Sequence, residues 1–168
     1  MDALEILRQM HVEAKSAFQK LEQASPDERG ALWAKLRPEL TAHEKMEEQF
    51  VYDPAVQQVG DRDPLIPDRH RMHEQQVKQA TEMMDRIGNL DPRESHFLQM
   101  VRELNQALVQ HIEMEEREFW PHIRQAWGEQ KLQDAAGKVD AAKKAAEAGA
   151  GVSGALGAAA EAVRNIGR

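Results

Sequence analysis

The sequence predicts an all-α fold, an up-down four-helix bundle, on three observations. Strand signals are nearly absent: aromatics make up 5% of the chain and no run sustains polar–apolar alternation. Four stretches repeat apolar or histidine residues at three- and four-residue steps, the spacing that lines side chains along one helical face. Two short segments, "SPDE" and "DPRE", carry helix-start signals just where the periodicity lapses.

The elements follow in order. Leu4, Leu7, His11, Ala14, Phe18 and Leu21 draw the first helix. Ser25 to Glu28 then offers an N-cap, a proline at the first helical position and a glutamate three residues after the cap. The second helix is marked by Trp33, Leu36, Leu40, His43, Glu47 and Phe50. "DPAVQQVGDRDPLIPD", rich in proline, reads as a crossing loop. The third helix runs through Ile66, His70, His73, Val77, Ala80, Met84 and Ile87, and Gly88 with Asn89 ends it. Asp91 to Glu94 repeats the start signal. Val101, Leu104, Leu108, His111, Glu115, then Glu118 or Phe119, and His122 follow on the fourth. Pro38 and Pro121 fall inside helical patterns and are expected to kink or break them. Residues 1–133 are therefore expected to form two antiparallel hairpins packed as one bundle.

From residue 134 to 168 the composition turns to alanine and glycine, without aromatics. Small side chains bury little area and glycine weakens helices, so a disordered or loosely helical tail is expected. Self-association or a protein contact would be its use. The chain as a whole, 168 residues with a net charge of −7, suits one domain and not a general nucleic-acid or anionic-membrane binder. The absence of cysteine excludes disulfides, thiolate catalysis and iron–sulfur clusters. No run is long and apolar enough to span a membrane, and the acidic, amphipathic start does not read as a signal peptide. A cytoplasmic location is the expectation.

The anomaly lies in the stripes, whose core positions hold His11, His43, Glu47, His70, His73, His111 and Glu115. Charged residues are almost never buried without a partner. A scaffold with hydrogen-bonded buried histidines would accommodate one such residue; seven call for a common partner, and a metal is the economical one. The spacing agrees. "HEKMEEQFVY" (43–52) and "HIEMEEREFW" (111–120) are near-copies, each setting a histidine four residues before a glutamate, one above the other on a helix. Counted from the turns, His11 pairs in height with His43, and His73 with His111, to within a few residues at about 1.5 Å each. Four histidines and two glutamates from four helices suit two ions bridged by carboxylates. Nitrogen and oxygen donors with open positions favour iron, then manganese, then zinc. The Glu-x-x-His spacing of ferritin-like centres does not occur. Glu44, Glu48, Glu113 and Glu116 fall off the stripes and are expected to be solvated, as is His96; His122 is expected to be a core histidine at the bundle's end.

On "H43EKME47E", "H111IEME115EREFWP", His11 and the helix bearing His73, the chain from about residue 2 to 127 resembles the hemerythrin-like, HHE cation-binding, family. The resemblance implies a four-helix bundle holding an oxo- or hydroxo-bridged non-haem diiron centre. Oxygen-carrying members follow His, HxxxE, HxxxH, HxxxxD. Here Val77 stands at the second position of the third motif, and the last carboxylate is Glu115, one residue early. The pattern H, HxxxE, H, HxxxE is more similar to bacterial members associated with peroxide decomposition and oxidative or nitrosative stress. Decomposition of H2O2 is thus the first expectation, and an O2- or NO-binding or iron-sensing module the second. His70 is a candidate extra ligand or supporting histidine. Tyr52 and Trp120 are expected to pack, with Tyr52 able to hydrogen-bond at the site or ligate ferric iron.

Overall fold

The computed structural model describes residues 1–149. Helix α1 (Ala3–Gln23) opens on a capping box: Asp2 accepts the Glu5 backbone N–H at 3.1 Å, and the Glu5 carboxylate accepts that of Asp2 at 2.7 Å. Helix α2 (Arg29–Glu47) starts later than "SPDE" predicts, because Ser25–Glu28 forms a turn first. The Glu28 carboxylate still reaches back to the Ser25 backbone N–H at 3.1 Å. A π-helical turn (Glu48–Tyr52) continues α2 into α3 (Asp53–Val59), inside the segment expected to be a crossing loop. Helix α4 (Leu65–Gly88) returns, and Asn89 caps it as the sequence predicts. Helix α5 (Ser95–Met114) passes through a second π turn (Glu115–Phe119) into α6 (Trp120–Trp127).

The prolines account for where the helices change pitch. Pro54 and Pro121 each sit in the first turn after a π segment, where the missing N–H removes an i→i−4 bond. The backbone bonds i→i−5 instead, from Asp53 to Glu48 and from Trp120 to Glu115. Pro38, in contrast, is carried within α2.

The boundary expected at residue 134 is not where the described chain divides. A further helix, α7 (Glu129–Glu147), runs across it and packs on α1 and α2. Leu132, Ala135, Ala136, Val139 and Ala142 are buried against Leu4, Leu7 and Met46. The small side chains that argued against a packed element allow α7 to lie close to the bundle. The rest of the expected tail, residues 150–168, lies outside the described residues.

Two apolar clusters fill the bundle. One gathers Leu4, Leu7, Met46, Val51, Phe119, Ile123 and Val139; the other gathers Phe18, Leu21, Trp33, Ile87, Phe97 and Leu104. His11, His43, Glu47, His73, His111 and Glu115 are buried as well, the two glutamates at 0% exposure. Among the described residues no helix is long and apolar enough to cross a membrane.

Candidate metal centre

Helices α1, α2, α4 and α5 each deliver one histidine, and one turn after His43 and His111 stand Glu47, at the end of α2, and Glu115, at the start of the second π turn. His43 Nε2 lies 3.0 Å from Glu47 Oε1, and His11 Nε2 lies 3.5 Å from the same oxygen. On the other side His73 Nε2 lies 3.5 Å from Glu47 Oε2. Glu115 is shared the same way: Oε2 stands 3.3 Å from His11 Nε2, and Oε1 stands 3.3 Å from both His73 and His111 Nε2. Each glutamate thus presents one oxygen to each histidine pair. All six side chains named from the spacing come together here.

A further carboxylate breaks the twofold pattern. Glu44 sets its oxygens 3.0 Å from His73 Nε2 and 3.3 Å from His111 Nε2. Donor atoms of Glu44, Glu47, His73, His111 and Glu115 lie within 4.8 Å of one another, and those of His11, His43 and Glu47 form a second such group. The arrangement is two donor sets sharing a carboxylate.

Whether a cation fits can be tested on the polar atoms. His11 Nε2, His43 Nε2, His111 Nε2, both oxygens of Glu47 and Glu115 Oε2 are buried with no hydrogen-bond partner. Buried polar atoms rarely stay unpaired, and here they converge on one volume. The far sides of two of the rings are held instead. Nδ1 of His11 donates to Glu116 at 2.8 Å, and Nδ1 of His111 donates to the Gln76 carbonyl oxygen at 2.8 Å. That leaves the Nε2 atoms of His11 and His111 free to bind, the arrangement by which outer partners orient metal-binding histidines. The donor set fits a pair of first-row transition ions.

Electrostatics point the same way. Burial alone would lower the pKa of His11, but Glu115, Glu116 and Glu47 outweigh it and raise it to about 11. His73 is raised to about 10 and His111 to about 11 against the same effect of burial, by Glu44 with Glu47 and by Glu115 with Glu44. Glu44 is lowered to about 2: burial works against this, and His111 and His73 prevail. The core demands positive charge, and a metal entering it must displace protons.

The comparisons agree with this geometry. Residues 2–123 match the family model described as "Hemerythrin HHE cation binding domain". The chain belongs to the hemerythrin HHE cation-binding family. A solved structure, that of an HHE cation-binding domain-containing protein from Mycobacterium kansasii, superposes with a TM-score of 0.72 at 23% identity. The match covers 100% of this chain and 95% of that one. No curated protein sequence matches.

Against the sequence reading of this HHE domain, five placements differ or sharpen. Glu44 is not solvated. It follows His43 by one residue, about 100° around the helix, which turns it towards α4 and α5. Glu48 and Glu116 are likewise engaged, with His70 and His11, whereas Glu113 is exposed. His70 does not join the paired donor sets; its Nε2 meets Glu48 at 2.6 Å. Tyr52 hydrogen-bonds at the site: it donates to Glu115 Oε1 at 2.8 Å and accepts from Trp120 Nε1 at 2.7 Å. Burial and the Glu115 and Glu47 carboxylates push its pKa well up, so the hydroxyl keeps its proton. Trp120 also stacks on His11, at 5.1 Å between centroids. His96 is exposed, and His122 is half-buried against Asp63 at 2.5 Å.

A cavity leads to the centre. Of about 630 Å³, it lies between α1, α2, α5 and α7, is walled by Ala14, Leu40, Leu108 and Ile112 and runs down to His11, His43, Glu44 and His111. Lys20, Lys35 and Lys143 also line it.

Proposed function

We propose that this HHE domain holds two iron ions and reacts with small oxidants, decomposing hydrogen peroxide. His11 and His43 would hold one ion, and His73, His111 and Glu44 the other, with Glu47 and Glu115 spanning both. The observation that carries the reading is this sharing of two fully buried glutamates between two histidine pairs. Bound iron supplies the redox capacity for chemistry that no side chain here could perform.

The chain's own residues do the rest. Glu116 and Gln76 fix the ring orientations of His11 and His111, and Tyr52 anchors Glu115 through its hydroxyl. The added carboxylate makes the donor set richer on the His73 and His111 side, leaving the His11 and His43 side with more open positions. The cavity reaches His11 and His43 as well as Glu44 and His111, so an incoming small molecule meets residues of both donor sets. The apolar clusters above and below exclude bulk water and confine reactive species. Decomposition is balanced without a reductant: one peroxide is reduced to two waters while a second is oxidised to dioxygen.

The test is metal analysis followed by peroxide addition under an oxygen electrode. Two irons per chain and sustained dioxygen release are the expected results. Two irons that form a stable O2 or NO adduct without turnover would replace catalysis with binding. Folded protein that takes up no metal after reconstitution would overturn both.

A further inference from the structure

A second cluster of metal-binding side chains stands beside the paired site and is not used by it. It is built by the first π turn. In that turn the Asp53 N–H bonds to the Glu48 carbonyl, five residues back, which stacks the two acidic side chains on one face. A normal α-helix would splay them apart. Facing them on α4 are His70 and Glu74, four residues apart and therefore on one face of their own helix. His70 Nε2 lies 2.6 Å from Glu48 Oε1 and 3.8 Å from Asp53 Oδ1. Donor atoms of Glu48, His70 and Glu74 all lie within 4.8 Å of one another. Three carboxylates thus surround one imidazole, more negative charge than a single imidazolium would offset.

An independent observation comes from the buried side. His73 is only 2% exposed, and its Nδ1 has no hydrogen-bond partner. That nitrogen faces Glu48 Oε2 at 3.6 Å, and Glu48 Oε2 is itself buried without a partner. The Nδ1 atoms of His11 and His111 are satisfied, and that of His43, also without a partner, has no such carboxylate facing it. The second π turn offers no counterpart, because the residue five after Glu115 is Trp120.

We propose that Glu48, His70 and Glu74, with Asp53 as a further carboxylate, form a third cation site that takes a first-row divalent ion. One nitrogen and three oxygens suit Mn2+, Fe2+ or Zn2+ better than Ca2+, which prefers an all-oxygen shell. The ion is distinct from the pair: no ligand is common to both sites.

Equilibrium dialysis of the metal-free full-length chain against Mn2+, and separately Zn2+, tests this. Wild type should take up three equivalents per chain. Glu74→Gln, at an exposed position, and His70→Ala should each lose one equivalent and keep two. His43→Ala should lose ions of the pair and keep the one at His70. An anomalous-scattering peak between Glu48, His70 and Glu74 in Mn2+-soaked crystals would locate it. Two equivalents in wild type, unchanged in Glu74→Gln and His70→Ala, would overturn the third site and leave the pair intact. One equivalent, lost in His70→Ala but not in His43→Ala, would support the third site and overturn the pair.

Discussion

A carboxylate placed next to a histidine changes which ion is held more tightly. Glu44 adds a donor to His73 and His111 but none to His11 and His43. Glu44→Gln is therefore expected to weaken one of the two ions by about tenfold or more, and Glu113→Gln, at an exposed position, neither. Chelator competition measures both. Gln76 acts one step further out, since its carbonyl oxygen fixes the His111 ring. Gln76→Ala should cost about 10- to 100-fold in metal affinity, read by the same competition, with helix content unchanged by circular dichroism. These residues also show what the sequence could and could not disclose. Six of the seven stripe residues converge, and they were legible because burial of charge at helical spacing has few explanations; His70, the seventh, meets Glu48 instead. Glu44 was hidden because stripe reading assigns each helix one inward face, whereas α2 faces two histidine pairs. Gln76 was hidden because an uncharged polar residue on a helix leaves no periodic signal.

At the level of elements, the two π turns extend the ligand faces. After Glu47 and Glu115 an α-helix would bring the fourth residue inward; the wider turn brings in the fifth, Tyr52 and Trp120, which hydrogen-bond to each other across the core. The sequence showed the prolines but not the change of pitch, since π and α turns share the same residues and differ only in hydrogen bonding. The start of α1 joins two elements as well. Asp2 caps the helix and accepts from Arg124 of α6 at 2.6 Å. Burial alone would raise the Asp2 pKa, but Arg124 and the Glu5 and Leu4 backbone N–H groups hold it below the ordinary value of 3.8. A depressed folded pKa means the contribution is full above about pH 4, where the unfolded carboxyl is also ionised, and is lost as pH falls through the folded value. Asp2→Ala is expected to cost about 1 kcal/mol at pH 7. In denaturant titrations the gap between variant and wild type should narrow at pH 3; a gap independent of pH would assign the cost to the helix terminus without its charge.

For the molecule as a whole the decisive feature is α7, which turns a four-helix bundle into a bundle with a fifth wall. Gly128, at φ 87 and ψ 161, provides the reversal after α6 in a backbone region that side chains scarcely adopt. Lys143 then ties α7 to Glu13 of α1 at 2.8 Å. The four principal helices were readable from hydrophobic period, but α7 was not, because alanine carries almost no periodic contrast and its burial depends on a surface made by the rest of the chain. The consequence reaches the metal centre, since Lys143, Ala146 and Glu147 line the cavity leading to His43. Leu132→Ala should therefore act twice. Loss of a fully buried leucine is expected to cost about 2–5 kcal/mol in unfolding free energy. Loosening α7 should also open the cavity, so a chelator should strip metal faster although the ions bound at saturation stay the same. Gly128→Ala, which strains the reversal without touching the apolar contact, should reproduce both effects at about 1–3 kcal/mol. If α7 were an appendage on a self-sufficient bundle, both variants would stay within about 0.5 kcal/mol of wild type and release metal at the wild-type rate.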